Sequence, residues 1–207
     1  MSRGPWVVGV SGASGTPYAK AVIGALLDAG ESVDLVVSRA ARLTLLDETG
    51  VQWSDSRWRE YAATWLERDV DERLSHWAPA DLAAGPSSGS YATKGMVVVP
   101  ASTAAVAGIA LGLSKDLLQR AAAVTLKERR PLVVVPRETP LSRATLQQML
   151  ALDEAGAVVL PASPAFYAGA KDVQQLVDFV AGRVLDAIGV THELYTRWTG
   201  ELGSALK

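Results

Sequence analysis

Five short β-prone apolar runs recur along this chain, at 6–10, 32–38, 95–100, 132–135 and 157–160, and between them lie stretches with apolar residues at helical spacing. A strand buried on both faces reads as a near-continuous β-branched run. Strands that alternate with helices make right-handed crossovers, so the strands lie parallel. The pattern predicts an α/β fold, a single-domain Rossmann-like three-layer sandwich with a mainly parallel sheet and helices on both faces. At 207 residues the chain is long enough for one domain with a full core and short for two. The reading is one domain over 1–207, with 190–207 as a C-terminal segment able to cover a site.

The strand ends carry the polar interest. Ser11-Gly12-Ala13-Ser14-Gly15 follows the first run and precedes a helical pattern carried by Ala19, Val22, Ile23, Leu26 and Leu27. Glycine lets the backbone approach a ligand closely, and free amides at a helix start favour an anion. The loop is either a phosphate site or a bare tight turn, and it has neither the P-loop pattern nor a full dinucleotide fingerprint. Ser38 ends the second run and either caps the next helix or touches a ligand. The third run leads into Ala101-Ser102-Thr103-Ala104-Ala105, again small and hydroxylated, and is preceded by a flexible loop with Ser88, Gly89 and Ser90. The fourth run ends in Pro136-Arg137-Glu138-Thr139-Pro140, where two prolines fix the backbone around an Arg-Glu pair. That loop is either a ligand site or a turn whose charges pair on the surface. Pro161-Ala162-Ser163-Pro164-Ala165-Phe166-Tyr167 follows the fifth run.

Between these landmarks, 48–84 reads as a peripheral helix and loops whose tryptophans either pack the segment on the sheet or mark an interface. Ser114 is the expected N-cap of a helix running to about Arg129, and Lys127-Glu128-Arg129-Arg130 at its C-terminus suits the helix dipole as well as a site. The tail from Thr191 to Lys207 reads as a short helix and a frayed end.

A formal charge of −2 gives no broad attraction to nucleic acid or to an anionic membrane. Any anion site must be built locally. The absence of cysteine removes disulfides and thiolate chemistry, and the two histidines, His76 and His192, lack metal-ligand spacing, so no metal is expected. No signal-peptide segment precedes the first strand, and no apolar run approaches the roughly 20 residues that span a bilayer. The expected location is the cytoplasm. What remains is a polar crevice with Lys127, Arg137, Arg183 and Glu138 as its charged groups, suited to a phosphorylated small molecule. Arginine forks hold phosphate, and one carboxyl among cations can move a proton.

Gly12-Ala13-Ser14-Gly15, Gly95-Met96-Val97-Val98-Val99-Pro100, Leu126-Lys127-Glu128-Arg129-Arg130-Pro131-Leu132-Val133, Pro136-Arg137-Glu138-Thr139-Pro140-Leu141 and the 161–167 block together closely resemble the UbiX-type flavin prenyltransferases, in the same order and from the first strand to about Gly189. FMN-binding cysteine decarboxylases share the general fold, but their Pro-Ala-Met-Asn block is replaced here by Pro136-Arg137-Glu138-Thr139. The resemblance implies transfer of the dimethylallyl group of dimethylallyl phosphate to N5 and C6 of reduced FMN without a metal. The product, prenylated FMN, would serve a UbiD-type decarboxylase. The alternatives are an FMN-dependent cysteine decarboxylase and a non-catalytic flavin-binding protein.

By motif, the resemblance assigns Gly12, Ala13, Ser14, Ser38, Ser102, Thr103, Ala104, Ala105 and Arg137 to FMN. It assigns Ser88, Gly89, Ser90, Lys127, Arg137, Tyr167 and Arg183 to the prenyl phosphate, and the catalytic work to Glu138, Lys127 and Ser14. Trp198 matches a family tryptophan in the covering segment. Two departures stand out: Ala101 where the family usually has cysteine, and Ala105 at a later hydroxyl position. The family also implies a homo-oligomer, commonly a dodecamer, with the flavin near subunit interfaces.

Overall fold

In the computed structural model, which describes residues 4–167, 169–198 and 200, six parallel strands form one sheet in the order β3-β2-β1-β4-β5-β6. The strands are β1 (Trp6–Val10), β2 (Val33–Val37), β3 (Leu74–His76), β4 (Gly95–Ala101), β5 (Leu132–Pro136) and β6 (Val158–Val159). Seven helices accompany them: α1 (Thr16–Asp28), α2 (Arg39–Thr49), α3 (Trp58–Leu66), α4 (Thr103–Ala110), α5 (Leu117–Lys127), α6 (Arg143–Glu154) and α7 (Val173–Ile188).

Alternation along the central strands sorts the core into two layers. Val8, Val10, Val97, Val99, Val133 and Val135 face one side, packing with Ile23 and Leu26 of α1 and Val180 and Val184 of α7. Val7, Met96, Val98, Leu132 and Val134 face the other, against Val106 of α4, Leu118 of α5 and Leu152 of α6. β1, β2, β4 and β5 are buried along their whole length, as parallel strands covered on both faces must be. Each fully buried Leu or Val side chain contributes about 1.5–3 kcal/mol relative to exposure.

Three expectations need correction. The 48–84 stretch is more than helix and loop, because Leu74–His76 adds a parallel edge strand to β2. Its tryptophans serve packing in two cases: Trp53 and Trp65 are buried and meet edge-to-face at 6.2 Å. Ser114 does not cap α5. It adopts a positive φ of 51°, and Asp116 is the cap, its carboxylate accepting the Gln119 N–H. Residues 191–198 form no helix. They run over α7 as an irregular strap, and the rest of the expected tail helix, 199 and 201–207, lies outside the described residues.

Candidate active site

The strand order reverses direction between β1 and β4, and in a doubly wound sheet the crevice beyond the carboxyl ends at such a reversal is where ligands sit. Here one buried hydroxyl joins the two ends. Ser11 Oγ donates to the Pro100 carbonyl at 2.8 Å and accepts the Ser102 N–H at 2.7 Å. Gly12 then passes so close to the start of α2 that a Cβ would lie 2.4 Å from the Ala40 Cβ. Ser38 caps α2 by accepting the Ala41 N–H, and Ser102 caps α4 by accepting the Ala105 N–H.

A cavity of about 440 Å³ opens between these turns. Ser11, Ser38 and Ser102 give it hydroxyls, Arg39 a cation, and Ala40, Leu43, Ala105 and Leu118 apolar walls. A cation beside the N-terminus of α2 suits a phosphate, and the apolar walls suit a flat ring. The donor set therefore fits a phosphate-bearing aromatic heterocycle. Ser38 is both a cap and a wall of the cavity. Ala13 is buried behind the turn, Thr103 is half-buried and Ala104 is exposed at the rim.

Arg137 leaves the carboxyl end of β5 and crosses toward β1. Its N–H donates to the Ala101 carbonyl at 3.2 Å, and its Nε donates to the Ser14 carbonyl at 2.9 Å. Arg137 thus pairs with a backbone carbonyl, while the exposed Glu138 carboxylate accepts the Thr139 N–H at 2.9 Å. The two charges do not form the surface pair that a plain turn would hold. Gly12, Ser14, Ser38, Ser102 and Arg137 come together at this edge.

Lys127 does not join them. It ends α5, at the amino end of β5, where it pairs with Glu128. The Ser88-Gly89-Ser90 loop lies beside it, since a Cβ on Gly89 would be 2.6 Å from Lys127 Nζ. That loop is held from outside: Arg130 donates to the Gly89 and Tyr91 carbonyls, Arg120 to the Ser87 carbonyl, and Tyr91 to the buried Asp34 carboxylate. Burial and the Asp34 charge push the Tyr91 phenol up to about 12. Burial likewise raises Asp34 itself. Lys127 and Arg137 are separated by the length of β5, roughly 15 Å. Tyr167 and Arg183 form a third group on the α7 side, Tyr167 against Phe179 and Trp198, Arg183 against Asp186 and Tyr195.

Two residues that sequence reasoning missed complete the edge. Ser11 stands in the predicted loop, and its signal was the hydroxyl one residue before Gly12. Glu48, at the end of α2, reaches the start of α1. Its carboxylate accepts the Gly15 and Thr16 N–H groups at 2.9 and 2.8 Å and the Thr16 hydroxyl at 2.6 Å. Burial pushes its carboxyl up, and those hydrogen bonds outweigh burial and hold it below the usual range. Nothing local to position 48 signals that contact. Among the described residues there is no cluster of His, Cys, Asp and Glu able to hold a metal ion, and no helix is long and apolar enough to cross a membrane.

The family model for flavoproteins matches residues 1–185. A flavin prenyltransferase UbiX of Streptomyces coelicolor is 68% identical over 97% of this chain and 98% of its own. This chain is a flavoprotein of the UbiX flavin prenyltransferase family. Solved UbiX structures superpose on it closely. AnUbiX (PadA1), in complex with FMN and dimethylallyl pyrophosphate, is 38% identical, covers 96% of this chain and 99% of its own, and has a TM-score of 0.85. A dodecameric FMN-dependent UbiX-like decarboxylase from Escherichia coli O157:H7 is 40% identical over 95% of this chain and 100% of its own, with a TM-score of 0.83.

Proposed function

We propose that this UbiX-family chain is a flavin prenyltransferase that joins the dimethylallyl group of dimethylallyl phosphate to N5 and C6 of reduced FMN and releases phosphate. The observation that carries the reading is the Arg137 side chain reaching from β5 to the Ser14 carbonyl at the β1 turn, which sets a guanidinium on the same turn whose Ser11 and Gly12 line the flavin-sized cavity. Ser38, Arg39 and the start of α2 would hold the FMN phosphate. Gly12, Ala13 and the 102–105 turn would lie along the ring. The flavin supplies the nucleophilic N5 and C6 atoms.

The chain's own residues would do the rest. Cations on the prenyl phosphate stabilise the charge that gathers there as its C–O bond breaks. Arg137 would supply one of them, with Lys127, Arg183, Tyr167 and the Ser88-Gly89-Ser90 amides. Glu138, exposed beside Arg137, would carry the proton, with Lys127 and Ser14 assisting. Lys127 and its loop stand at the far end of β5 from Arg137, with Lys127 held by Glu128 and Arg137 by the Ser14 carbonyl. Neighbouring copies would complete the site, and a homo-oligomer, a dodecamer like the Escherichia coli relative, would supply them. The 190–207 segment of the single flavoprotein domain would cover the opening. The product would pass to a UbiD-type decarboxylase in the cytoplasm, where a chain without cysteine is at home.

The test is anaerobic incubation with reduced FMN and either dimethylallyl phosphate or the diphosphate, followed by mass spectrometry of the flavin. One added C5H8 unit is expected, and comparison of the two arms identifies the donor. Unmodified flavin in both arms, with both ligands bound, would reject the transferase and leave a flavin-binding protein.

A further inference from the structure

The densest polar knot among the described residues lies outside the cavity, on the last turn of α7. The Asp186 carboxylate takes four donors. His192 Nε2 and Arg197 Nη2 reach Oδ1 at 3.1 and 2.8 Å, while the Tyr195 hydroxyl and Arg183 Nη1 reach Oδ2 at 2.6 and 2.9 Å. Three of the four donors belong to the 191–198 strap. The histidine tautomer follows from its second contact: Nδ1 accepts the Leu194 N–H at 3.1 Å, so Nε2 carries the proton given to Asp186. Burial pushes the Asp186 carboxyl up, and the hydrogen bonds from Arg197, Tyr195 and His192 outweigh it, holding it far below the usual carboxylate range.

α7 is shaped to receive the strap. One turn before Asp186, a Cβ on Gly182 would fall 2.5 Å from the Tyr195 ring and 2.7 Å from His192. Only a residue without a side chain lets both rings lie flush on the helix. Beyond the knot the strap continues as an aromatic chain. Tyr195 packs on Phe179 at 4.9 Å, Phe179 on Tyr167 at 5.8 Å, and Tyr167 on Trp198 at 5.5 Å. Arg183 is fixed in the same network, its Nη1 also lying 3.4 Å from the Tyr195 hydroxyl.

We propose that Asp186 is a positioning residue for the prenyl-phosphate half of the site: its carboxylate docks the 191–198 strap on α7 and thereby sets the Arg183 guanidinium and the Tyr167–Trp198 wall. The proposal rests on the prenyltransferase reading for its substrate. Asp186 touches no reacting atom. It acts through Arg183 and the strap, so its loss should weaken binding of the prenyl donor and, because Arg183 would also meet the charge that gathers on the phosphate, slow the transfer.

Asp186→Asn keeps the shape and removes the charge that two arginines share. In the full chain, the KM for the prenyl donor should rise roughly tenfold and kcat should fall by a smaller factor, with FMN affinity unaltered. Amide exchange at Leu194 should accelerate in the same variant while the core strands keep their protection. Tyr195→Phe removes a single donor, spares the charges, and should move both readouts in the same direction by less, which keeps the test alive if Asp186→Asn folds poorly. An unchanged KM in both variants, or unchanged Leu194 exchange, would overturn the proposal. Prenyl transfer by the wild-type enzyme tests the underlying reading separately, because exchange reports strap docking with no substrate present.

Discussion

At the scale of single residues, the crevice depends on one hydroxyl. Ser11 Oγ is the acceptor for the Ser102 N–H and a donor to the Pro100 carbonyl, in a position only 3% exposed. If the hydroxyl goes, the Pro100 carbonyl keeps the Ser11 N–H at 3.2 Å while the part-buried Ser102 N–H loses its acceptor, and a buried donor left unpaired costs about 1–3 kcal/mol. Ser11→Ala should therefore lower stability by that amount in urea titration. It should also weaken FMN binding, because the amides of the 102–105 turn lose the bond that aims them. Loss of stability with unaltered flavin affinity would mean that Ser11 holds the sheet together without shaping the site. Arg137 shows the same principle with opposite consequences. Its charge is given to a backbone carbonyl rather than to Glu138, which leaves the guanidinium's remaining donors for an incoming anion.

At the scale of elements, Glu48 ties the end of α2 to the start of α1, where no side chain of the cap residue Gly15 can do so. A carboxylate there satisfies otherwise orphaned amides and opposes the helix dipole. Its folded pKa is depressed below the ordinary 4.5, so its contribution is fully present above the unfolded value and is lost as pH falls through the folded one. Glu48→Gln should flatten the dependence of thermal stability on pH below about 4.5 while changing it little near neutrality beyond a constant offset. An identical pH slope in both proteins would exclude the contact. This bond, spanning 33 positions, also marks what the sequence hides. β1, β4 and β5 were legible because each is a β-branched run buried on both faces. β3 was not, since three residues with only Leu74 buried carry no periodicity. The cap of α5 moved from Ser114 to Asp116 because the chain turns through a left-handed residue first, a choice made by tertiary packing. In the site, the motif-bearing loops were readable because their glycines, prolines and hydroxyls act locally. Glu48 and the Asp186 knot were not, because their partners come together only once α2 and α7 are in place.

At the scale of the molecule, the parallel sheet sorts the charged residues by strand direction. Helices return antiparallel to the strands, so a residue at the end of α5, such as Lys127, lands at the amino edge, whereas Arg137, at the end of β5, lands at the carboxyl edge. Across that gap of roughly 15 Å the two side chains are held apart, Lys127 by Glu128 and Arg137 by the Ser14 carbonyl. If the two cations that meet on one prenyl phosphate come from different copies of the chain, the site can be assembled from complementary defects. Lys127→Ala and Arg137→Ala should each abolish most prenyl transfer when assayed alone. Dissociated and reassembled together in equal amounts, they should recover roughly a quarter of the wild-type rate, since a site that draws each residue from a different copy receives both intact ones about one time in four. No recovery on mixing, with exchange of subunits demonstrated by native mass spectrometry, would mean that Lys127 serves the site of its own chain or no site at all, and the two-copy architecture would fall.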